Sequence, residues 1–160
     1  MHSNAKKQFD KRSIVEKYFD TVYRLALSQA KDSHRADDIL QEVFLRYMKV
    51  CKKMESEEHV KATLLRITVN YSNSFKNSAH NKRDTQLDED IPYTDKINDG
   101  SVLEKVLALP DKYRTVIHLY YYCGYSVNEI SKITGNNPAT VKTHMKRARN
   151  LLKIDLEEEL

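Results

Sequence analysis

Residues 138–153, "PATVKTHMKRARNLLK", hold the side chains best equipped for chemistry with an anion. Between Ile130 and Ile154 every charged residue is positive. Lys and Arg neutralise phosphates, and together with Thr and Asn they bond base edges in a DNA major groove. A second polar set, Arg66, Asn70, Asn73, Lys76 and Asn77, continues into His80, Lys82 and Arg83. Its amides and cations suit bases and phosphates, although a solvated helix face has the same composition. A third set surrounds one apolar side chain: Leu45 stands among Asp38, Gln41, Glu42 and Arg46, an apolar centre with a polar rim of the kind that contacts a protein partner. His34, Asp37 and Asp38 invite an acid–base or metal reading. They open a helix, however, where acids are favoured by the helix dipole anyway, and no Gly-rich loop or second ligand cluster accompanies them. Cys51 and Cys123 are isolated, without a CxxC or Cys/His grouping, and read as packing thiols. The sequence therefore predicts no enzyme, no catalytic residue, no cofactor and no metal.

The cationic residues need a helix to align them. In "YSVNEISKITGNNPATVKTHMKRARNLLK", residues 125–153, Val127, Ile130 and Ile133 recur at three-residue spacing and give a short helix one apolar side. Gly135 can adopt positive φ and stop it. Asn137 suits an N-cap and Pro138 the first helical position, so a second helix starts at Pro138. In that helix Val141, Met145, Ala148 and Leu152 form the buried stripe. At about 100° per residue, Ala139, Thr143, Lys146, Arg147 and Asn150 face away from it, with Lys142 and Arg149 on the flank. A basic helix face alone is often only solvated surface; the helix-turn-helix geometry is what points to DNA.

Three further helices position the other two sets. The first spans about Lys11 to Ala30, burying Ile14, Tyr18, Val22 or Phe19, Leu25 and Ala26. The second spans about Arg35 to Met54, with Ala36, Leu40, Val43, Phe44, Tyr47 and Cys51 inward and the Leu45 patch outward. The third spans about Glu58 to Ser78, with Val60, Leu64, Ile67, Tyr71 and Phe75 inward and the Asn-rich face outward. Asn is a poor choice for a helix interior, because it competes with the helix for its own backbone.

Three Gly and three Pro in 160 residues, nearly a third of them charged, exclude a strand-and-turn architecture and predict an all-α protein. The net charge of +4 is mild, so its placement matters more than its size. No secretory signal or apolar run of about 20 residues stands in the chain, which predicts no membrane insertion and a cytoplasmic location. Composition breaks once, at the acidic "DTQLDEDIPYTDKINDGS" of residues 84–101. Read as a linker, it divides a helical unit at 8–83 from another at 102–155.

"DSHRADDILQEVFLRYMKV", "VKATLLRITVNYSNSFKNS" and "LPDKYRTVIHLYYYCGYSVNEISKITGNNPATVKTHMKRARNLLK" resemble regions 2 and 4 of the extracytoplasmic-function (ECF) sigma factors, small promoter-specificity subunits of bacterial RNA polymerase in the sigma-70 family. The resemblance spans nearly the whole chain outside the linker and the extreme ends. It implies two small helical domains, a region 2 bundle and a region 4 helix-turn-helix, joined by a flexible acidic linker that threads through polymerase. It implies that Asp38, Gln41, Glu42, Leu45 and Arg46 dock on core RNA polymerase. Reading and opening of the −10 element would fall to Arg66, Asn70, Asn73, Lys76, Asn77, His80, Lys82 and Arg83. The −35 duplex would meet Thr140, Lys142, Thr143, Lys146, Arg147, Arg149 and Asn150. Family members are often held by an anti-sigma protein, which these residues alone do not reveal. Two departures stand out: the family usually has Trp where Thr63 stands, and often an acidic residue near Asn73 or Ser74. "YYYCGYS" is also more aromatic than the family's usual segment, and Tyr120, Tyr121 and Tyr122 cannot all face one core.

The rival within DNA binding is a stand-alone helix-turn-helix regulator. It explains residues 125–153 and leaves the Leu45 patch idle. Such a protein would footprint a pseudo-palindrome as a dimer without polymerase.

Overall fold

The computed structural model describes residues 10–80 and 100–158. Among the described residues it contains seven α-helices, one 3₁₀ turn, one π turn and no strand, as an all-α sequence requires. The helices are α1 (Lys11–Ala30), α2 (Ser33–Val50), α3 (Glu57–His80), α4 (Gly100–Ala108), α5 (Asp111–Ile117), α6 (Val127–Thr134) and α7 (Pro138–Glu158). They form two compact units, one built on α1–α3 and the other on α4–α7. Most of the acidic stretch, residues 84–99, lies outside the described residues, and α4 begins at Gly100, inside its expected C-terminal end.

In the first unit α1 and α3 pack along one another in parallel. Their N-terminal halves are joined at Glu57, which accepts from Tyr18 Oη at 3.0 Å and pairs with Lys17. Their C-terminal ends are joined by Lys76 Nζ donating to Gln29 Oε1 at 3.0 Å. Burial, reinforced by the bond to Glu57, pushes the Tyr18 hydroxyl up to about 12. Ile14, Tyr18, Leu25 and Ala26 of α1 are buried, and of the alternatives Val22 and Phe19 it is Val22 that joins them while Phe19 stays exposed. Ala36, Leu40, Val43, Phe44 and Tyr47 of α2 point inward as expected, joined by Ile39. The helix ends at Val50, before Met54, because the chain tightens into a 3₁₀ turn at Cys51–Lys53.

The inward face of α3 differs from the sequence expectation. Val60 and Leu64 are buried, but so are Leu65, Thr68, Val69 and Ser72, whereas Ile67 and Tyr71 are half-buried and Phe75 is exposed. The stripe therefore turns toward smaller residues. Thr68 is tolerated inside because its hydroxyl donates to the Leu64 carbonyl at 2.7 Å, which satisfies its polar atom without a distant partner. Small side chains at this position let α1 and α3 approach, and the large aromatic ones are displaced to the edge.

In the second unit α7 packs against α4, α5 and α6. The turn from α4 to α5 is fixed by Arg114, which is only 1% exposed and donates to the carbonyls of Leu107 at 3.2 Å and Leu109 at 2.7 Å. It also pairs with Asp111. A buried guanidinium needs such partners; desolvation lowers its pKa and Asp111 opposes that shift. After α5 the backbone widens into a π turn at His118–Tyr122. His118 and Leu119 face inward, while Tyr120, Tyr121 and Tyr122 are 37%, 58% and 48% exposed. No tyrosine of the run faces the core.

Candidate nucleic-acid and partner interfaces

The helix-turn-helix is built by local capping at each of its junctions. Ser126 accepts from the Glu129 backbone N–H at 3.2 Å, and Glu129 Oε1 accepts from the Ser126 N–H at 3.1 Å. This reciprocal capping box starts α6. Gly135 ends the helix at φ +77, a backbone state that costs an L-residue about 1–2 kcal/mol. Asn137 Oδ1 then accepts from the Thr140 N–H at 2.8 Å and caps α7. Val141, Met145 and Ala148 are buried along α7. With its inner face fixed, the opposite side presents Thr143, Lys146, Arg147 and Asn150 to solvent, flanked by exposed Lys142 and Arg149; Thr140 is half-buried.

Two neighbours refine that surface. Half-buried His144 sits edge-on to the Tyr113 ring at 5.5 Å, and its Nδ1 has no hydrogen-bond partner among the described residues. Burial, then the charges of Lys112 and Arg147, lower its pKa and favour the neutral ring. Arg149 lies over the Tyr120 and Tyr121 rings, 5.5 and 5.9 Å from their centroids.

On the first unit, Asp38, Gln41, Leu45 and Arg46 are exposed and Glu42 is partly so, with Leu45 61% exposed. They do not form a flat helix face. α3 supplies a second wall, and Arg35, Asp38, Ile39, Gln41, Glu42, Leu45, Tyr71 and Phe75 enclose a groove of about 280 Å³. Arg46 Nε donates to Glu42 at 2.9 Å while its guanidinium covers the Tyr71 ring at 4.8 Å. Arg35 covers Phe75 at 5.4 Å. Sequence periodicity placed Tyr71 and Phe75 in the core, where large apolar side chains are ordinarily assigned, whereas Tyr71 is half-buried and Phe75 exposed along the groove.

Arg66, Asn70 and Asn73 share one exposed stripe of α3. Lys76 is part of the expected set, yet its ammonium is engaged with Gln29. The side chains of Asn77 and His80, and all of Lys82 and Arg83, lie outside the described residues. Thr63, where a Trp was the family expectation, is half-buried with its hydroxyl 3.4 Å from Met54 Sδ. His34, Asp37 and Asp38 are exposed, and among the described residues no group of three or more His, Cys, Asp or Glu is arranged to hold a metal ion. No described helix is long and apolar enough to cross a membrane.

These features define a two-unit helical protein with a helix-turn-helix in its second unit. Residues 14–80 match the family model for sigma-70 region 2, and residues 99–152 match that for sigma-70 region 4. The chain is 32% identical to RNA polymerase sigma factor SigV of Bacillus subtilis, over 96% of this chain and 97% of that protein. It is 30% identical to the ECF RNA polymerase sigma factor SigW of the same species, over 91% of this chain and 88% of that one. In fold it resembles the sigma factor RpoE, solved with the anti-sigma factor NepR from Bartonella quintana, with a TM-score of 0.74, 21% identity and coverage of 91% and 96% of the two chains. The chain belongs to the ECF sigma factors of the sigma-70 family, the promoter-recognising factors of RNA polymerase.

Proposed function

We propose that the three surfaces divide the work of promoter recognition. The unit of α4–α7 lays α7 in the major groove of the −35 element, with Thr140, Lys142, Thr143, Lys146, Arg147, Arg149 and Asn150 facing DNA. The unit of α1–α3 reads and opens the −10 element with Arg66, Asn70, Asn73 and Lys76, continued by Asn77, His80, Lys82 and Arg83. The groove around Leu45, with Asp38, Gln41, Glu42, Arg46, Tyr71 and Phe75, docks on core RNA polymerase. The observation that carries this reading is the exposed face of α7, whose charged side chains are all cationic and which is aimed by caps on both sides of its turn.

The protein performs no covalent chemistry in this reading and works in the cytoplasm, where polymerase is. Extruding a base costs a few kcal/mol, and stacking and polar contacts to the unpaired strand offset that cost. An anti-sigma protein joins the partners on family membership alone.

The test is multi-round transcription with bacterial core polymerase on fragments of the source genome, with and without the protein. Discrete new transcripts that share paired upstream elements are the expected result. No stimulation, together with DNA footprints that need no polymerase, would overturn it in favour of a stand-alone regulator.

A further inference from the structure

The three consecutive tyrosines are the feature that the sigma-factor reading leaves unexplained. They cost exposure of aromatic surface, and two of them are organised around a single cation. The Tyr120 and Tyr121 rings meet edge to face with centroids 4.9 Å apart. The Arg149 guanidinium lies over both, and its Nε–H donates to Tyr121 Oη at 3.1 Å. An Arg side chain carries five N–H donors in a planar fork. With Nε committed to Tyr121, the four Nη donors remain at the outer end of the fork. Tyr121 accepts through its oxygen, so its own O–H proton is left to donate.

We infer that Tyr120, Tyr121 and Arg149 form a prebuilt clamp for one backbone phosphate of the −35 duplex, in which Arg149 Nη and the Tyr121 O–H converge on the same anion. The inference rests on the reading that α7 lies in the major groove. At about 100° per residue, Lys142 and Arg149 fall on one stripe at the flank of the recognition face, beside Lys146, and all three are exposed. A helix seated in the major groove turns its flanks toward the phosphate walls. A free Arg must give up side-chain freedom to bind there, and the aromatic stack has already removed much of it. The π turn has a purpose in this arrangement: it keeps His118 and Leu119 in the core while the rings of Tyr120 and Tyr121 stand beside Arg149, in the middle of α7. Arg149 makes the charged contact. Tyr121 both positions Arg149 and touches the phosphate, and Tyr120 is a positioning residue.

The test uses holoenzyme assembled from core polymerase and the full chain, bound to the promoter recovered from the transcription experiment. Single phosphates along the −35 element are replaced by neutral methylphosphonates. Wild-type protein should show one position where neutralisation weakens binding, an effect that Arg149→Ala removes for the most part and Tyr121→Phe reduces in part. Arg149→Ala should lower the slope of log affinity against log salt by about 0.9, one phosphate contact. Tyr121→Phe keeps every charge and the ring, so the slope should hold while affinity falls roughly 3- to 10-fold, as for one lost charge-assisted bond. Arg149→Lys should retain the slope without recovering the full affinity, because an ammonium lacks the fork. A merely structural tyrosine would move thermal stability and leave the phosphate profile alone. Wild-type affinity and an unchanged phosphate profile in Tyr121→Phe overturn the clamp. If Lys146→Ala and Arg147→Ala leave binding untouched as well, the placement of α7 itself fails; if they weaken it, only the clamp does.

Discussion

Arg147 and Arg149 stand two residues apart on α7 and are held in different ways. Arg149 is stacked on tyrosines, whereas Arg147 projects from the side opposite the buried stripe. That difference assigns them different tasks. Arg147→Ala should cost about 1–3 kcal/mol of promoter binding and relax preference at one −35 position, measured by competition among −35 variants; an equal loss on every sequence would make it a phosphate contact instead. Leu45 offers a comparable test on the other unit. Its exposure means that Leu45→Asp should abolish assembly with core polymerase while the circular dichroism stays helical. A collapsed fold would show that the side chain supports the core after all. His144 adds a pH dependence. Its folded pKa is depressed below the ordinary 6.5 by burial and nearby cations, so the unfolded chain binds the proton more readily. The stability this ring contributes is present above pH 6.5 and is lost as pH falls toward its folded pKa. Thermal unfolding followed from pH 7.5 to 5 should show a fall that His144→Phe lessens.

At the scale of elements, legibility followed how local the determinants are. The α6–turn–α7 unit was readable because Gly135, Asn137 and Pro138 each act within a few residues of their own position, and the structure places all three as the sequence implied. The inward face of α3 was not readable. Assigning Ile67, Tyr71 and Phe75 to the core follows hydrophobicity, yet close approach to α1 selects Thr68, Val69 and Ser72, and that approach is a property of two helices together. The π turn was hidden for a related reason: a one-residue widening leaves no periodic mark in five residues, His118–Tyr122. Arg114 also escaped notice, since a cation inside a core is identified by its carbonyl partners at Leu107 and Leu109, which the sequence does not bring together. The local caps lend themselves to measurement. Asn137→Ala should cost about 1 kcal/mol through the lost N-cap. Gly135→Ala meets no atom within 4 Å, so its cost of about 1–2 kcal/mol is conformational alone. Chemical denaturation of both variants checks the pair, and an unaltered midpoint for Gly135→Ala would mean that the turn relaxes to another backbone state.

At the scale of the whole molecule, the two units carry different surfaces, and under the proposed function their joint attachment to polymerase is what turns these into promoter specificity. The sequence exposed this division through one acidic break and two unlike helical units, but the groove partner of the Leu45 face emerged only when α2 and α3 were placed side by side. A small cationic face such as that of α7 neutralises few phosphates and binds duplex weakly on its own. Fixing both units on one polymerase converts the second contact into an intramolecular one and raises the combined affinity by about 10²–10⁴ without any new contact. The free protein should therefore bind a labelled promoter fragment at least about 100-fold more weakly than the polymerase complex does at the same salt, as read by fluorescence anisotropy. Leu45→Asp should return the complex to the affinity of the free protein, because it removes the attachment and leaves both DNA-facing surfaces in place. Equal affinities with and without polymerase would instead mean that the helix-turn-helix suffices by itself, and the groove at Leu45 would then need another occupant.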